Sequence, residues 1–256
     1  MFALLVSFTL ILFRREQQEW RRNEQLTSAN NYLDVMKRCR QLLLDLELRF
    51  DSDKPTLHAN YFDAYAKLLC PWKAEEKALS ILEFGIGGFG DEKKGGGDLL
   101  TWAEFFPSAH VIVGVDISKK SFHVPPNVKM IQVNQTNEMA IRKICKHHGP
   151  FDLIVDDASH MCDDTITTFK LIWHCLKSES IYILEDTQSS YSNTASCSKG
   201  VNANWTSINF FKRLIDENNF AKIEKSTGDA NFEWSAYAKK LTGIHFYHNL
   251  LIITKG

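Results

Sequence analysis

The sequence predicts an α/β protein with a mostly parallel β-sheet, and three observations lead to this prediction. Short apolar runs alternate with segments of helical character from residue 78 to residue 218. A glycine-rich loop follows the first of these runs, and acidic residues follow several of the later ones. The chain has 256 residues, of which 44% are hydrophobic, so it can form one large domain with extensions.

The N-terminal part of the chain predicts helices that precede the sheet. Residues 14–50 form a predicted helical extension, because apolar residues recur at roughly helical spacing in its second half. The polar and proline-containing segment Asp51–Pro55 ends that helix, and a second helix is predicted from Tyr61 to Leu69. We therefore expect the main domain to cover residues 51–256.

Five strands are predicted in the alternating part, each from a short apolar run that ends at a glycine, an acid or an amide. The predicted strands are 78–84, 110–116, 128–133, 151–155 and 181–184. The segments between and after them predict the helices 99–106, 137–147, 163–176 and 209–218. The final segment, 245–253, has β character. Since helices separate consecutive strands, the strands are expected to run mostly parallel.

The first thirteen residues are almost wholly apolar, and Arg14-Arg15 follows them. A helix of this length spans about 20 Å, less than the roughly 30 Å hydrocarbon core of a bilayer. The segment lacks a basic start and a small-residue cleavage site, so it does not fit a secretory signal peptide. Residues 1–13 are a candidate membrane anchor that leaves the main domain cytoplasmic. The alternative is a truncated or buried helix that packs in an oligomer.

Charge and cysteine content narrow the classes of protein. The sequence has 30 Lys+Arg against 31 Asp+Glu, a balance that gives no electrostatic indication of a nucleic-acid partner. The six cysteines have no C-x-x-C spacing, which argues against a structural zinc site. We therefore predict reduced thiols and a cytoplasmic setting.

The glycine-rich loop after the first strand indicates a cofactor site. Gly85, Gly87 and Gly90 satisfy G-x-G-x-x-G, a pattern that fits a nicotinamide dinucleotide site as well as others. The insertion at residues 91–97 separates the loop from the next helix, so no helix N-terminus follows at once to bind a pyrophosphate. Glu83 precedes the first glycine and favours a cationic ligand. S-Adenosylmethionine, with its positive sulfonium and amino group, is such a ligand.

Two further strand ends fit the same cofactor. Asp116 ends the second strand, where an acid can accept hydrogen bonds from both ribose hydroxyls; the alternative is a helix N-cap. Asn134 and Gln135 follow the third strand, where an amide could read the adenine edge; the alternative is a turn.

Carboxylates follow the fourth and fifth strands, which predicts a metal site. Asp157, Glu185 and Asp186 would offer oxygen ligands to Mg²⁺, and a zinc site would need more histidine or cysteine. Such a cation lowers the pKa of a bound hydroxyl, and His160 could then take its proton. Each residue alone fits a turn, a cap or a structural histidine. Their joint placement at neighbouring strand ends favours the functional interpretation.

These segments resemble a known family, the Mg²⁺-dependent class I methyltransferases that act on macrolide sugars. The resemblance covers roughly residues 50–256, and its motifs are Asp53-Lys54 with His58 and Tyr61, Ile81–Gly88, Gly114–Ile117, Asp156–His160, Glu185–Gln188 and Phe246–Leu250. Ala158, Asn134, Glu179-Ser180 and Asp98 depart from the usual pattern, but they remove no proposed ligand or base.

The resemblance implies a Rossmann-like, seven-stranded sheet whose last strand is antiparallel, and it implies a homo-oligomer. It also implies roles for individual residues. Asp157, Glu185 and Asp186 would bind the metal, and His160 would be the catalytic base. Glu83, Gly85, Asp116 and Gln135 would line the S-adenosylmethionine pocket, and the neighbouring Gly87, Asn134 and Asp156 complete the predicted cofactor site.

The predicted activity is therefore methyl transfer from S-adenosylmethionine to a hydroxyl of a small, sugar-like or polyketide-like acceptor, assisted by Mg²⁺. A non-catalytic cofactor-binding protein and an NAD-dependent oxidoreductase are the competing hypotheses. The loop insertion and Glu83 argue against the oxidoreductase, and the complete acid set argues against a non-catalytic protein.

Overall fold

The computed structural model describes residues 32–192, 196–197, 203, 205–220 and 235–256. The predicted anchor at residues 1–13 lies outside these described residues, as does the polar first half of the predicted helical extension. Within the described ranges, no helix combines the length and the apolar character needed to cross a membrane.

Seven strands form one sheet. They are β1 Ser80–Phe84, β2 Val111–Asp116, β3 Val128–Gln132, β4 Phe151–Asp156, β5 Leu176–Leu184, β6 Leu241–Tyr247 and β7 Leu250–Lys255. Their spatial order is β3-β2-β1-β4-β5-β7-β6. Strands β1 to β5 pair in parallel, whereas β7 is antiparallel to both β5 and β6. The prediction of a mostly parallel, seven-stranded sheet with an antiparallel last strand is confirmed.

Helices cover both faces of the sheet. The helices are α1 at residues 32–49, α2 Lys54–Leu57, α3 Tyr61–Ala74, α4 Gly97–Phe105, α5 Glu138–His148, α6 Cys162–Ile172 and α7 Ser207–Phe220. Alternate strand residues point to opposite faces, so Ile81 packs with α1, α3 and α4 while its neighbour Leu82 packs with α5, α6 and α7. The apolar strands are therefore buried on both sides, as a parallel sheet requires.

Several predicted boundaries differ from the structure, and two of these differences have a clear structural cause. Strand β5 begins at Leu176, because Leu176 pairs with Phe151 of β4, and the predicted helix 163–176 ends at Ile172. Long-range strand pairing thus overrides the helical spacing of the local apolar residues. The predicted single segment at 245–253 is two strands, because the chain turns back at His248-Asn249 with Asn249 at φ +61°.

The register of the parallel strands brings the functional loops together. Phe84 at the end of β1 is paired with Asp156 at the end of β4, and Asp156 is in turn paired with Leu184 at the end of β5. In β2, Val115 is paired with Phe84 of β1, and the strand ends at the next residue, Asp116. The residues that follow these strands therefore lie at one edge of the sheet.

The cysteines form three disulfide bonds, so the prediction of reduced thiols is wrong. The pairs and their Cα–Cα distances are Cys39–Cys70 at 6.1 Å, Cys145–Cys175 at 5.5 Å and Cys162–Cys197 at 5.4 Å. Local spacing could not reveal these pairs, because partners are 30 to 35 residues apart and lie on different elements. The correction removes the cysteine-based ground for predicting a cytoplasmic setting.

Replacing both Cys39 and Cys70 by serine should lower the free energy of unfolding by about 3 kcal/mol, because the disulfide closes a long loop in the unfolded chain. Urea unfolding of the native and double-variant chains without reductant measures this difference. With reductant the two chains should become similar, because the native chain then loses the same bond. Recovery of six free thiols by alkylation of non-reduced protein would contradict the prediction.

Candidate active site

A cavity of about 800 Å³ opens at the edge of the sheet where β1, β2, β4 and β5 end. This volume is typical of small-molecule and cofactor sites. Most of the predicted site residues line it, namely Gly85, Gly87, Asp116, Asn134, Gln135, Asp157, His160, Glu185 and Asp186. The strand register therefore brings these residues to one site, although they come from five separate segments of the chain.

Gly85 allows the loops after β1 and β4 to lie in direct contact. Its φ is +91°, a left-handed conformation that favours glycine, and its N–H donates to the carbonyl of Val115 at 2.8 Å. A Cβ at this position would overlap the backbone carbonyl oxygen of Asp157. The predicted cofactor loop and the predicted metal loop thus depend on the same glycine.

The predicted insertion separates the glycine loop from the next helix along the chain, but the fold brings the start of that helix back against the loop. Helix α4 begins only at Gly97, and the N–H of Gly96 donates to the carbonyl of Ile86 at 2.7 Å. The buried Lys120 ammonium donates to the carbonyls of Phe89 and Asp91 at 2.8 and 3.1 Å. The insertion is therefore a fixed part of the cavity wall.

Asp116 is bound to the glycine loop. Its carboxylate accepts from the N–H of Ile86 at 2.9 Å and from the N–H of Ser118 at 2.7 Å. No helix follows directly, so the alternative of a helix N-cap does not apply. The carboxylate lies on the cavity wall in a fixed orientation.

Asn134 and Gln135 use their side chains within the protein. The Asn134 carbonyl accepts from the N–H of Thr136 at 2.9 Å, which is the turn considered as the alternative. The Gln135 amide accepts from the N–H of Ser159 at 3.0 Å and donates to the Thr168 hydroxyl at 2.9 Å. Gln135 thus joins the loops after β3 and β4 to α6.

Glu83 and Asp156 are not brought to the cavity. Glu83 is buried and accepts from the indole N–H of Trp102 at 2.6 Å. Asp156 is buried and accepts from the Tyr182 hydroxyl at 3.1 Å, and burial raises its pKa to about 7. Neither acid lines the cavity, because both side chains are buried behind the residues that form its wall.

Asp157, His160 and Asp186 form a compact group, which we call the acid–histidine group. Their potential ligand atoms all lie within 4.8 Å of one another. Nε2 of His160 is 3.9 Å from Oδ1 of Asp157 and 3.7 Å from Oδ2 of Asp186. His160 and Asp186 have φ values of +54° and +52°, which are uncommon for non-glycine residues and concentrate at functional sites.

Side chains from the N-terminal helices hold Asp186. The Tyr61 hydroxyl donates to Oδ1 of Asp186 at 3.0 Å, and Nε2 of His58 lies 3.1 Å from the same oxygen. The His58 and Tyr61 rings stack with centroids 4.8 Å apart. The other oxygen of Asp186 therefore remains on the side of His160.

Lys54 is a site residue to which sequence reasoning assigned no role. It is 1% exposed, and its ammonium lies 3.1 Å from Oδ2 of Asp157 and 3.2 Å from Oε2 of Glu185. It also forms an ion pair with Asp98. The available signal was its place in the Asp53-Lys54 motif, 103 residues before Asp157.

Glu185 differs in its surroundings from the acid–histidine group. One of its oxygens faces Lys54, and the other accepts a hydrogen bond from the buried Tyr65 hydroxyl. Burial raises the pKa of Glu185 and of Asp157, and the Lys54 ammonium opposes both effects. Burial alone would lower the pKa of Lys54, but the surrounding carboxylates hold it well above its usual value.

The donor atoms fit a hard divalent cation. Asp157 and Asp186 offer carboxylate oxygens, which Mg²⁺ prefers, and the acid–histidine group has one imidazole and no thiolate. The whole cavity wall also carries more carboxylates than ammonium groups. The acids are Asp51, Asp53, Asp98, Asp116, Asp157, Asp164, Glu185 and Asp186, and the lysines are Lys54, Lys93 and Lys94. Such a wall favours cationic ligands.

The fold is the Rossmann-like fold of class I methyltransferases. The structure of MycE methyltransferase from the mycinamycin biosynthetic pathway, in complex with Mg and SAH, superposes with a TM-score of 0.76 at 26% identity. The match covers 84% of this chain and 53% of that chain. No family model matches the sequence.

Among curated proteins, the chain is similar to sugar O-methyltransferases. It is 30% identical over 213 residues to 8-demethyl-8-alpha-L-rhamnosyl tetracenomycin-C 2'-O-methyltransferase of Streptomyces olivaceus, covering 83% of this chain and 54% of the relative. It is 29% identical over 185 residues to mycinamicin VI 2''-O-methyltransferase of Micromonospora griseorubida, covering 70% and 44%. The chain spans about half the length of these relatives. The resemblance predicted from the sequence is confirmed.

Gly85→Ala should destabilise the protein by more than about 2 kcal/mol, because a left-handed alanine costs about 1–2 kcal/mol and its Cβ would displace Asp157. Urea unfolding measures the effect. Gly90→Ala is the matched control, since a Cβ on Gly90 meets nothing within 4 Å. Equal stability of the two variants would contradict the role given to Gly85.

Proposed function

We propose that the chain is an S-adenosylmethionine-dependent O-methyltransferase that uses Mg²⁺ and His160 to methylate a hydroxyl of a small, sugar-bearing acceptor. The observation that carries this proposal is the acid–histidine group, which lies in the same cavity as the glycine loop and Asp116. A cofactor site and a metal site thus share one space.

The cofactor half of the cavity supports a cationic methyl donor. The glycine loop gives close access to the backbone, and the fixed Asp116 carboxylate keeps lone pairs for ribose hydroxyls. The N-terminus of α4 also lines the cavity, but its first turn carries Asp98, whose carboxylate disfavours a pyrophosphate there. The excess of carboxylates on the wall likewise favours S-adenosylmethionine over NAD.

The acceptor half of the site is a second, smaller cavity of about 310 Å³. It shares Ser159, His160 and Asp186 with the larger cavity. Its remaining lining is Met161, Gln188, Ser189 and Ser192. The hydroxyl and amide groups among these residues can form hydrogen bonds with a hydroxylated ligand such as a sugar.

In the proposed chemistry, the methyl transfer takes place beside Ser159, His160 and Asp186, the residues that line both cavities. Bound Mg²⁺ would lower the pKa of the acceptor hydroxyl and fix its position. Asp157 and Asp186 would hold that cation, with Glu185 as the third ligand of the predicted set. His160 would take the hydroxyl proton, the new O–C bond would form, and the C–S electron pair would leave with sulfur. Asp186 would stabilise the protonated imidazole.

The named relatives support the acceptor class. Their names describe 2'-O-methylation of a rhamnosyl tetracenomycin and 2''-O-methylation of mycinamicin VI, and one solved neighbour is described in complex with Mg, SAH and Mycinamycin VI. Because the chain spans about half of those proteins, the acceptor of this chain is a proposal from the site. Assembly into a homo-oligomer and membrane association of residues 1–13 likewise stay predictions.

Calorimetry of the native chain should detect binding of S-adenosylmethionine and none of NAD, because the cavity wall favours a cation over a pyrophosphate. Methyl transfer to a panel of hydroxylated glycosides should require Mg²⁺ and stop with EDTA. Binding of NAD alone would favour an oxidoreductase, and cofactor binding without transfer to any acceptor would favour a non-catalytic protein.

The metal ligands are tested in the same assay with Asp157→Asn, which removes one charge with little change in shape. Its turnover should fall to background while S-adenosylmethionine still binds. Asp163→Asn, a change at an exposed acid outside both cavities, is the matched control. Full activity of Asp157→Asn in the presence of EDTA would exclude the metal mechanism.

His160→Ala should lower kcat by about 10²–10⁴-fold, which is the usual contribution of a positioned acid–base group. The affinity for S-adenosylmethionine should stay within about threefold of the native value, since His160 faces the acids and the acceptor cavity. Steady-state kinetics and calorimetry provide the two measurements. His147→Ala, at an exposed histidine of α5, is the control, and an unchanged kcat for His160→Ala would remove it as the base.

A further inference from the structure

A buried ammonium group lies among the carboxylates of the proposed metal site. Lys54 contacts acids from three parts of the chain: Asp98 in the first turn of α4, Asp157 after β4 and Glu185 after β5. Its side chain is 1% exposed, so water does not screen these contacts. No step of the proposed methyl transfer uses Lys54.

The short helix α2 delivers Lys54 to this position. Lys54 is its first residue, Pro55 fixes the following turn, and the N–H of His58 donates to the carbonyl of Lys54 at 2.8 Å. Lys54 reaches Asp157 and Glu185, whereas His58 reaches Asp186. Helix α2 and the residue that follows it thus contact all three predicted metal ligands.

Buried carboxylates that lie close together repel one another and tend to take up protons. An ammonium about 3 Å from both Asp157 and Glu185 offsets that repulsion and holds one oxygen of each. The same positive charge repels an incoming divalent cation. Lys54 therefore has two opposite effects, since it orders the acids before metal binds and weakens the binding itself.

We propose that Lys54 is a positioning residue that acts as a built-in counter-ion of the metal site and sets its affinity for Mg²⁺. This inference rests on the proposed magnesium site. A lysine with only a structural role offers a contrast in the same chain. The buried Lys255 ammonium donates to the backbone carbonyls of Trp173 and Leu176, and among the described residues its hydrogen-bond partners include no carboxylate.

The test compares Lys54→Met, Lys54→Arg and Lys255→Met with the native chain. Magnesium affinity is measured by calorimetry, and thermal unfolding is followed with EDTA and with saturating Mg²⁺. Lys54→Met should bind Mg²⁺ on the order of tenfold more tightly, because a nearby positive charge is lost. Its Tm should fall in EDTA and recover with Mg²⁺. Lys54→Arg should stay close to the native affinity.

Lys255→Met is the matched control, because it removes a buried ammonium that contacts no metal ligand. It should lower the Tm equally in both conditions and leave the magnesium affinity unchanged. The same behaviour in Lys54→Met, or weaker magnesium binding there, would overturn the proposal. Absence of magnesium binding by the native chain would instead overturn the metal site, and with it this inference.

A second variant covers the case in which Lys54→Met does not fold in either condition. Asp98→Asn keeps the ammonium but removes its third carboxylate partner, so the Lys54 charge acts more strongly on Asp157 and Glu185. Magnesium should then bind more weakly than in the native chain. An unchanged or higher affinity of Asp98→Asn would contradict the role of Lys54.

Discussion

The ion pairs of Lys54 are the interaction on which the site depends. Asp98, Asp157 and Glu185 come from separate elements, and each is drawn to the same ammonium. Charges buried in this way are costly unless they are paired, so the segment that carries Lys54 must dock for the sheet edge to keep its geometry. The acids and the lysine therefore have to be considered as one unit.

This dependence makes the helices before the sheet part of the active site. Helix α1 buries Leu43 and Leu46 in the core, and its Glu47 lies close enough to Asp98 to affect its ionisation. Burial and the Asp98 charge raise the pKa of Glu47 well above its usual value. Helix α3 adds Tyr61 and Tyr65, which bind Asp186 and Glu185.

The sequence was sufficient to predict the sheet and much of the site, because both follow from local patterns. Apolar runs place the strands, and parallel strands bring residues such as Asp116 and Asp157 to one edge. Contacts between segments that are far apart along the chain leave no pattern in the local sequence, so they were not predicted. Lys54 among the acids, the early start of β5 and the three disulfides all arise from such contacts. Glu83 shows the opposite case, because its strand position fitted a ligand, whereas its carboxylate accepts a hydrogen bond from the buried Trp102 indole.

The disulfides connect helices and loops around the sheet, and Cys39–Cys70 joins α1 to α3. Helix α3 also carries Tyr61 and Tyr65, so this disulfide constrains the helix whose tyrosines form hydrogen bonds with the carboxylates of the site. A reducing cytosol keeps thiols reduced. Protein purified from such a host would have the same sequence but a less constrained N-terminal wall. The redox history of a sample thus becomes a variable in every measurement of its metal affinity.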